Sequence, residues 1–446
     1  MKRIVLLVPA LPVLSLALAA CAAEDPPPSA VCPTPAGAGV VHSGDVTEDE
    51  TWRAEDGPHR VEGSVVVRDG ATLTIEPCVE VEFGPDAALD VGASDSGEVA
   101  RLVARGEPER PIRLSRSADA PWSSLAIFAP STADLANLEL EGAGSDPFRE
   151  HAALLVVGSG VAPNEGHLHA DAVTVRSSAG VGVLLQRAAT FEEGSRELVV
   201  EESASFPLVV GQHSLGSLPS GDLVGNAVDE VLVREDLANG FVGLQHDTTM
   251  RKLSVPYRIG TENGEPLRVG SASLEGFATL TIEPGVELRF HPGVMLRVLA
   301  SPEAALGAIR ALGEPGSPVV FTSASATPSP GDWAGLYFEA PVASENDLRH
   351  TVVEYAGGYC SCALSSCSPV SFSEAAIVVD GGAPPAAFLR DSTIRHSAGH
   401  GVVRSWLDHP EVDFLASNTF DGVAGCAQTA PVLTDVVCPS VDYRCD

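Results

Sequence analysis

The sequence predicts an all-β chain, a solenoid of stacked coils, and three observations carry that prediction. In ATLTIEPCVEVEF, from Ala71 to Phe83, Leu73 and Ile75 alternate with polar neighbours, and Val79, Val81 and Phe83 do the same. That is the period of two that gives a strand one apolar face. The phrase then returns as ATLTIEPGVELRF, Ala278 to Phe290, with ten of thirteen positions identical at an offset of 207 residues. Finally, the strands are short and mostly separated by a single Gly or a small polar corner. The turn pairs that mark hairpins, Asp69-Gly70 and Asp380-Gly381, are few.

The chain opens with Lys2 and Arg3, followed by an apolar stretch from Ile4 to Ala20 broken by Pro9 and Pro12. A segment this short that ends in small residues reads as an export signal, not a spanning helix. Leu18-Ala19-Ala20-Cys21 resembles the bacterial lipobox. That resemblance implies removal of residues 1–20 and attachment of lipid to Cys21. Ala22, where inner-membrane retention signals carry Asp, favours the outer membrane. Residues 21–44 are rich in Pro, Ala and Gly and read as a tether. No later run of eighteen apolar residues follows, so the expected membrane attachment is the lipid alone.

Beyond the tether the duplication is extensive. ARGEPERPIRL (Ala104 to Leu114) answers ALGEPGSPVVF (Ala311 to Phe321), Trp122 answers Trp333, and VRSSAGVGV (Val175 to Val183) answers IRHSAGHGV (Ile394 to Val402). The offset grows in small steps, as it does when loops lengthen on one framework. Two β halves are expected, at residues 45–242 and 243–446, and a repeat of this kind implies stacked units. Outside the signal no helical period reaches ten residues. Pro77 and Pro284 mark equivalent corners, with Gly285 suited to its corner and Cys78 in its place in the first half.

The phrases LTIEPGVELRF, ALGEPGSPVVF, GDWAGLYFEA and VVEYAGG together resemble exported right-handed parallel β-helix proteins of the pectate-lyase-like kind. The resemblance spans about residues 45–422 and implies a right-handed solenoid. It implies no particular activity, because that fold hosts many. Roughly sixteen to eighteen coils at about 4.8 Å per rung predict a rod on the order of 80 Å long.

Charge and cysteine count narrow the function. The formal net charge of −33 repels phosphate backbones and excludes nucleic acid as a partner. With Cys21 given to lipid, eight cysteines remain: Cys32, Cys78, Cys360, Cys362, Cys367, Cys426, Cys438 and Cys445. In an exported chain an even number favours disulfides. Cys32 and Cys78, alone in the first half, are expected to pair. The other six allow fifteen connectivities.

Several residues are candidates for chemistry. His167, His169 and Asp171 would project from one strand face and offer ligands for a divalent metal such as calcium. Against this, an outward polar strand face needs no metal, and no cofactor is required. Trp122 and Trp333, with Trp52 and Trp406, could stack on sugar rings, or simply pack. Glu76, Glu80 and Glu82 offer carboxylates for acid–base work, but the second half writes Glu283, Glu287 and Arg289, which suits alternating outward charge better. Gly399-His400-Gly401 resembles the GHG element of polygalacturonases, yet the aspartates that should precede it are missing. The acidic run Asp45 to Glu50 matches no calcium-loop spacing. No serine elbow, phosphate loop or zincin pair appears.

The expectation is therefore an outer-membrane lipoprotein whose rod is non-catalytic and meets polysaccharide or surface proteins. The runner-up is a polysaccharide lyase or glycoside hydrolase, recognisable by acidic side chains converging in a groove. A third reading makes the cysteine-rich stretches at residues 360–367 and 426–445 an adhesive tip, although staples capping the last coil explain them as well.

Overall fold

In the computed structural model, residues 31–35, 37–94, 97–160, 167–235, 243–271, 276–358, 375–432 and 443–446 are described. The chain forms a right-handed parallel β-helix; every named strand pairing is parallel.

One coil shows how the sequence makes the fold. Thr72–Ile75, Glu80–Phe83 and Ala88–Val91 are its three strands. Its first corner is a four-residue turn in which Val79 N–H donates to Glu76 O, with Pro77 at the second position and Cys78 third at φ 70°. Proline then a positive φ is the type II pattern, which glycine satisfies without strain. The second half has that glycine: Gly285 sits at φ 77° in the matching turn. Cys78 accepts the left-handed conformation because it is bonded to Cys32, as expected, which ties the end of the tether to this coil. The next corner repeats the device with Pro85 and Asp86, and with Pro292 and Gly293 in the second half.

Inward residues stack rung on rung. Val81 pairs with Leu114 and Leu288 with Phe321, all fully buried. A single apolar core runs from Val46 to Phe414, so the two halves share one interior. Each phrase ends on a phenylalanine that stacks on the matching tryptophan: Phe83 on Trp122 at 4.0 Å, Phe290 on Trp333 at 4.2 Å. The indole N–H groups donate to Glu141 O and Glu354 O. The repeated phrase is thus a repeated packing unit.

The halves do not stack in simple register. The ladder holding Ala88–Val91 runs through Val231–Arg234 to Tyr257–Ile259 and on to Glu287–Phe290. By sequence, Glu287–Phe290 is the counterpart of Glu80–Phe83, which lies on the neighbouring face and whose ladder ends at Gly221–Asp222. The 207-residue offset therefore contains whole coils plus one strand, and the second half is turned by one face about the rod axis. Along this ladder fourteen strands follow one another among the described residues, from Val40–Val46 to Thr419–Asp421. That is shorter than the sixteen to eighteen coils expected, because loops take more of the chain, and it gives a length on the order of 60 Å.

The N-terminal end is closed by three stacked rings. His42 lies 4.0 Å from Trp52, and Trp52 lies 5.5 Å from the buried His59. Arg53 O, which only accepts, takes the His59 Nε2 proton at 2.8 Å. His59 Nδ1 then accepts from His42 Nε2 at 2.9 Å, leaving His42 Nδ1 facing Glu50 at 3.5 Å. Burial, then the charge of His59, push the His42 pKa below its ordinary 6.5, with Glu50 opposing. The unfolded chain takes up a proton there that the folded chain refuses. Stability should thus fall as pH drops below 6.5, until folded His42 itself titrates. Urea unfolding between about pH 7 and pH 5 should show this slope, and His42→Asn should flatten it.

Candidate functional site

Two concavities lie where the halves meet, on adjacent corners of the rod. The first, of about 530 Å³, is lined by Glu150, Gln186, Arg187, Arg234, Glu235, Thr261, Asn263 and Glu265, with Leu185 and Gly211. Its outer wall begins with a short 3-10 turn, Pro147–Arg149, capped by Asp146, whose side chain accepts from Phe148 N–H at 2.8 Å. Arg149 grips Asp90 with two bonds of 2.7 and 2.8 Å. Glu150 takes two bonds from Arg234 at 2.6 and 2.9 Å, and a third from Gln186 at 3.0 Å. These pairs clamp the loop across an outward apolar stripe of Leu155, Leu184 and Val209.

The inner wall is more unusual. Glu235, directly after the strand Val231–Arg234, is 6% exposed, and its Oε1 accepts from the equally buried Arg268. Its Oε2 is buried with no hydrogen-bond partner. Burial pushes the Glu235 carboxyl above the usual carboxylate range, Arg268 pulls it down, and like charge on Glu265 raises it again. Glu265 accepts from Thr261 Oγ1 at 2.6 Å and from Asn263 Nδ2 at 3.3 Å. The arrangement leaves one carboxyl oxygen of Glu235 buried without a hydrogen-bond partner, an expensive state.

The second concavity, of about 630 Å³, is lined by residues 190–195, 213, 216–217, 244–249 and 251. Two of its polar groups serve the backbone: His213 Nε2 meets Gly243 O at 3.2 Å, and Asp247 accepts from Thr279 N–H at 2.8 Å.

The residues singled out from sequence fall elsewhere. Cys21 lies outside the described residues, as do Cys360, Cys362, Cys367 and Cys438. Cys426 and Cys445 are bonded to each other at the C-terminal end. Trp122 and Trp333 are fully buried core residues, so neither presents a ring to a sugar; Trp52 and Trp406 are buried too. The reason is the phenylalanine stack beneath each of the first two. His169 and Asp171 share the outward side of the strand Leu168–Arg176, while His167 is buried just before it. His169 Nδ1 meets Asp134 at 2.9 Å and Asp171 pairs with Arg196 at 2.7 Å. Among the described residues no three His, Cys, Asp or Glu side chains form a metal-ligating group. Glu76, Glu80 and Glu82 face Arg53, Arg113 and Arg60 at 3.7, 3.8 and 3.1 Å. Arg289, the member that changes sign, bridges Glu287 and Glu230. His400 of the Gly-His-Gly element accepts from Cys426 N–H at 2.9 Å and packs on Tyr443, which makes it part of the end cap.

Sequence reasoning missed Glu150, Glu235, Glu265 and Arg268. Glu150, Glu235 and Glu265 sit in corners outside the duplicated framework and Arg268 in the short strand Leu267–Val269, and only the spacing of Glu235 and Glu265, about one coil apart, hints at their meeting. No family description, curated protein or solved structure matches this chain.

Arg268→Met would leave the buried Glu235 without its cation. The expected cost is roughly 3–5 kcal/mol in urea unfolding, partly recovered in the double variant with Glu235→Gln.

Proposed function

We propose that this chain is an exported, lipid-anchored rod, similar in architecture to the pectate-lyase-like solenoids, that binds glycan or protein partners without turning them over. The signal, the lipobox-like Leu18 to Cys21 and the tether supply the address: the outer membrane, with the rod standing off it. The observation that carries the non-catalytic reading is the state of the outward carboxylates. Strand after strand they are taken by arginines of neighbouring rungs: Arg113 with Glu139 at 3.0 Å, Arg176 with Glu201 at 2.6 Å, Arg390 with Asp347 at 2.6 Å, Arg395 with Glu354 at 2.5 Å. Exposed pairs of this kind add at most about 1 kcal/mol each. Their consequence is functional: the arginines occupy the carboxylate oxygens that an acid or base catalyst would have to turn toward a substrate.

One observation favours the runner-up, a polysaccharide lyase or glycoside hydrolase: Glu150, Glu235 and Glu265 share one cavity. Glu150 is saturated by Arg234 and Gln186, and Glu235 is held by Arg268, so binding is the better use of the site.

Two measurements on one preparation test the reading. The Cys21→Ser variant should leave the membrane fraction and become soluble without detergent. A panel of acidic and neutral polysaccharides should show no cleavage by the wild-type protein. Cleavage that Glu235→Gln and Glu265→Gln both abolish would replace the rod reading with the hydrolytic one.

A further inference from the structure

The Cys32–Cys78 bond encloses the whole N-terminal end of the rod. Between its two cysteines, 46 positions apart, lie the strands Val40–Val46, Glu50–Trp52, His59–Val67 and Thr72–Ile75. The outermost of these is the most weakly held. Val40–Val46 buries only Val46, and among the described residues it pairs on one side alone, with His59–Val67. The chain before it is exposed from Cys32 to Pro35. Near Val40 it is met by two bonds, Val40 N–H to Pro58 O and Arg60 Nη1 to Ala38 O, each 3.1 Å. Cys78 stands in a different setting. It is buried in the corner that leads into Glu80–Phe83, a strand paired with His59–Val67 on one side and Ile112–Arg116 on the other. Val81 and Phe83 of that strand are fully buried, and Phe83 carries the stack on Trp122. The corner itself does not call for a cysteine, since Gly285 fills the matching one.

We infer that this bond is a mechanical splice: it delivers the pull of the lipid anchor to the third rung, counted from Val40–Val46, and bypasses the two end rungs. In a solenoid each rung is held only by its neighbours, so a pull on a terminus peels rungs from that end. Without the bond, tension arriving at Cys32 would run through residues 33–39 into Val40–Val46, which has one ladder to lose. With it, tension takes the shorter path, because the two Cα atoms are 5.5 Å apart. It then enters a corner whose strand must leave two ladders and the packed core together. The ring cap of His42, Trp52 and His59, which lies inside the closed loop, bears no load. The direction of the pull rests on the anchor proposed above. A Cys21→Ser protein that stayed on the membrane would defeat that anchor, while the splice is judged by a separate measurement.

Optical-tweezers pulling on the mature oxidised protein, between its N-terminus and Lys252, decides the matter. Lys252 is exposed and is the sole lysine once residues 1–20 are removed. An amine-reactive handle therefore goes there after the N-terminus is tagged, and the chain beyond it stays out of the loaded path. The oxidised protein should first yield at the force that opens coils paired on both sides. The double variant Cys32→Ser with Cys78→Gly, whose corner copies Gly285, should begin to yield at a lower force. Its first events should together release about 150 Å of chain that the bond had kept out of the path. If that variant fails to fold, the wild-type chain pulled in reductant makes the same comparison, since Cys426–Cys445 lies outside the loaded segment. Equal onset forces with and without the bond, or a higher onset without it, would overturn the inference.

Discussion

Everything in this molecule depends on one parallel backbone ladder that continues without a break from Val40–Val46 to Thr419–Asp421. A strand of four residues has almost no stability alone. Here each is bonded to a rung on either side, and its inward side chains rest on their counterparts above and below. Because the Ala88–Val91 ladder passes through Val231–Arg234 and Tyr257–Ile259 into Glu287–Phe290, the duplicated halves fold as one body. The one-face turn at the join follows from the same rule. Backbone pairing recognises any strand in register, not its ancestral partner, so a linker with one strand to spare rotates the whole second copy.

That rotation explains where the candidate site lies. Within each half, corners repeat, and their charged residues are matched to arginines on neighbouring rungs. At the join the corners have no counterpart, and the loop carrying Glu150 reaches across several rungs to Arg234. Glu235, which accepts from Arg268 behind it, and Glu265 line the cavity this creates. Burial of Glu235 costs stability that a purely structural corner would not need.

Much of the fold was legible in the sequence because its causes are local. The alternation of Leu73, Ile75, Val79, Val81 and Phe83, and the Pro-Gly corner at Pro284, dictate strand and turn with no tertiary information. The Cys32–Cys78 bond was legible because no other partner existed in that half. The tryptophans were misleading: equivalent positions correctly implied equivalent roles, but the role is core stacking on Phe83 and Phe290. The cavity was not legible, since Glu150 and Arg234 are 84 residues apart and meet only through coil geometry. The rotated join was hidden for a similar reason: an offset of 207 residues states how far apart two phrases are, not how many strands lie between them.

The most direct test of a continuous, one-face-rotated solenoid is a cross-link at the join. Leu232 and Arg258 stand opposite each other on adjacent rungs, between strands that sequence alone would not pair. A variant carrying Leu232→Cys and Arg258→Cys, exposed to mild oxidant and mapped by mass spectrometry, should form that disulfide rapidly. Cross-linking no faster than between Asp222→Cys and Arg258→Cys would mean that the halves stack otherwise, and the account of both fold and site would fail together.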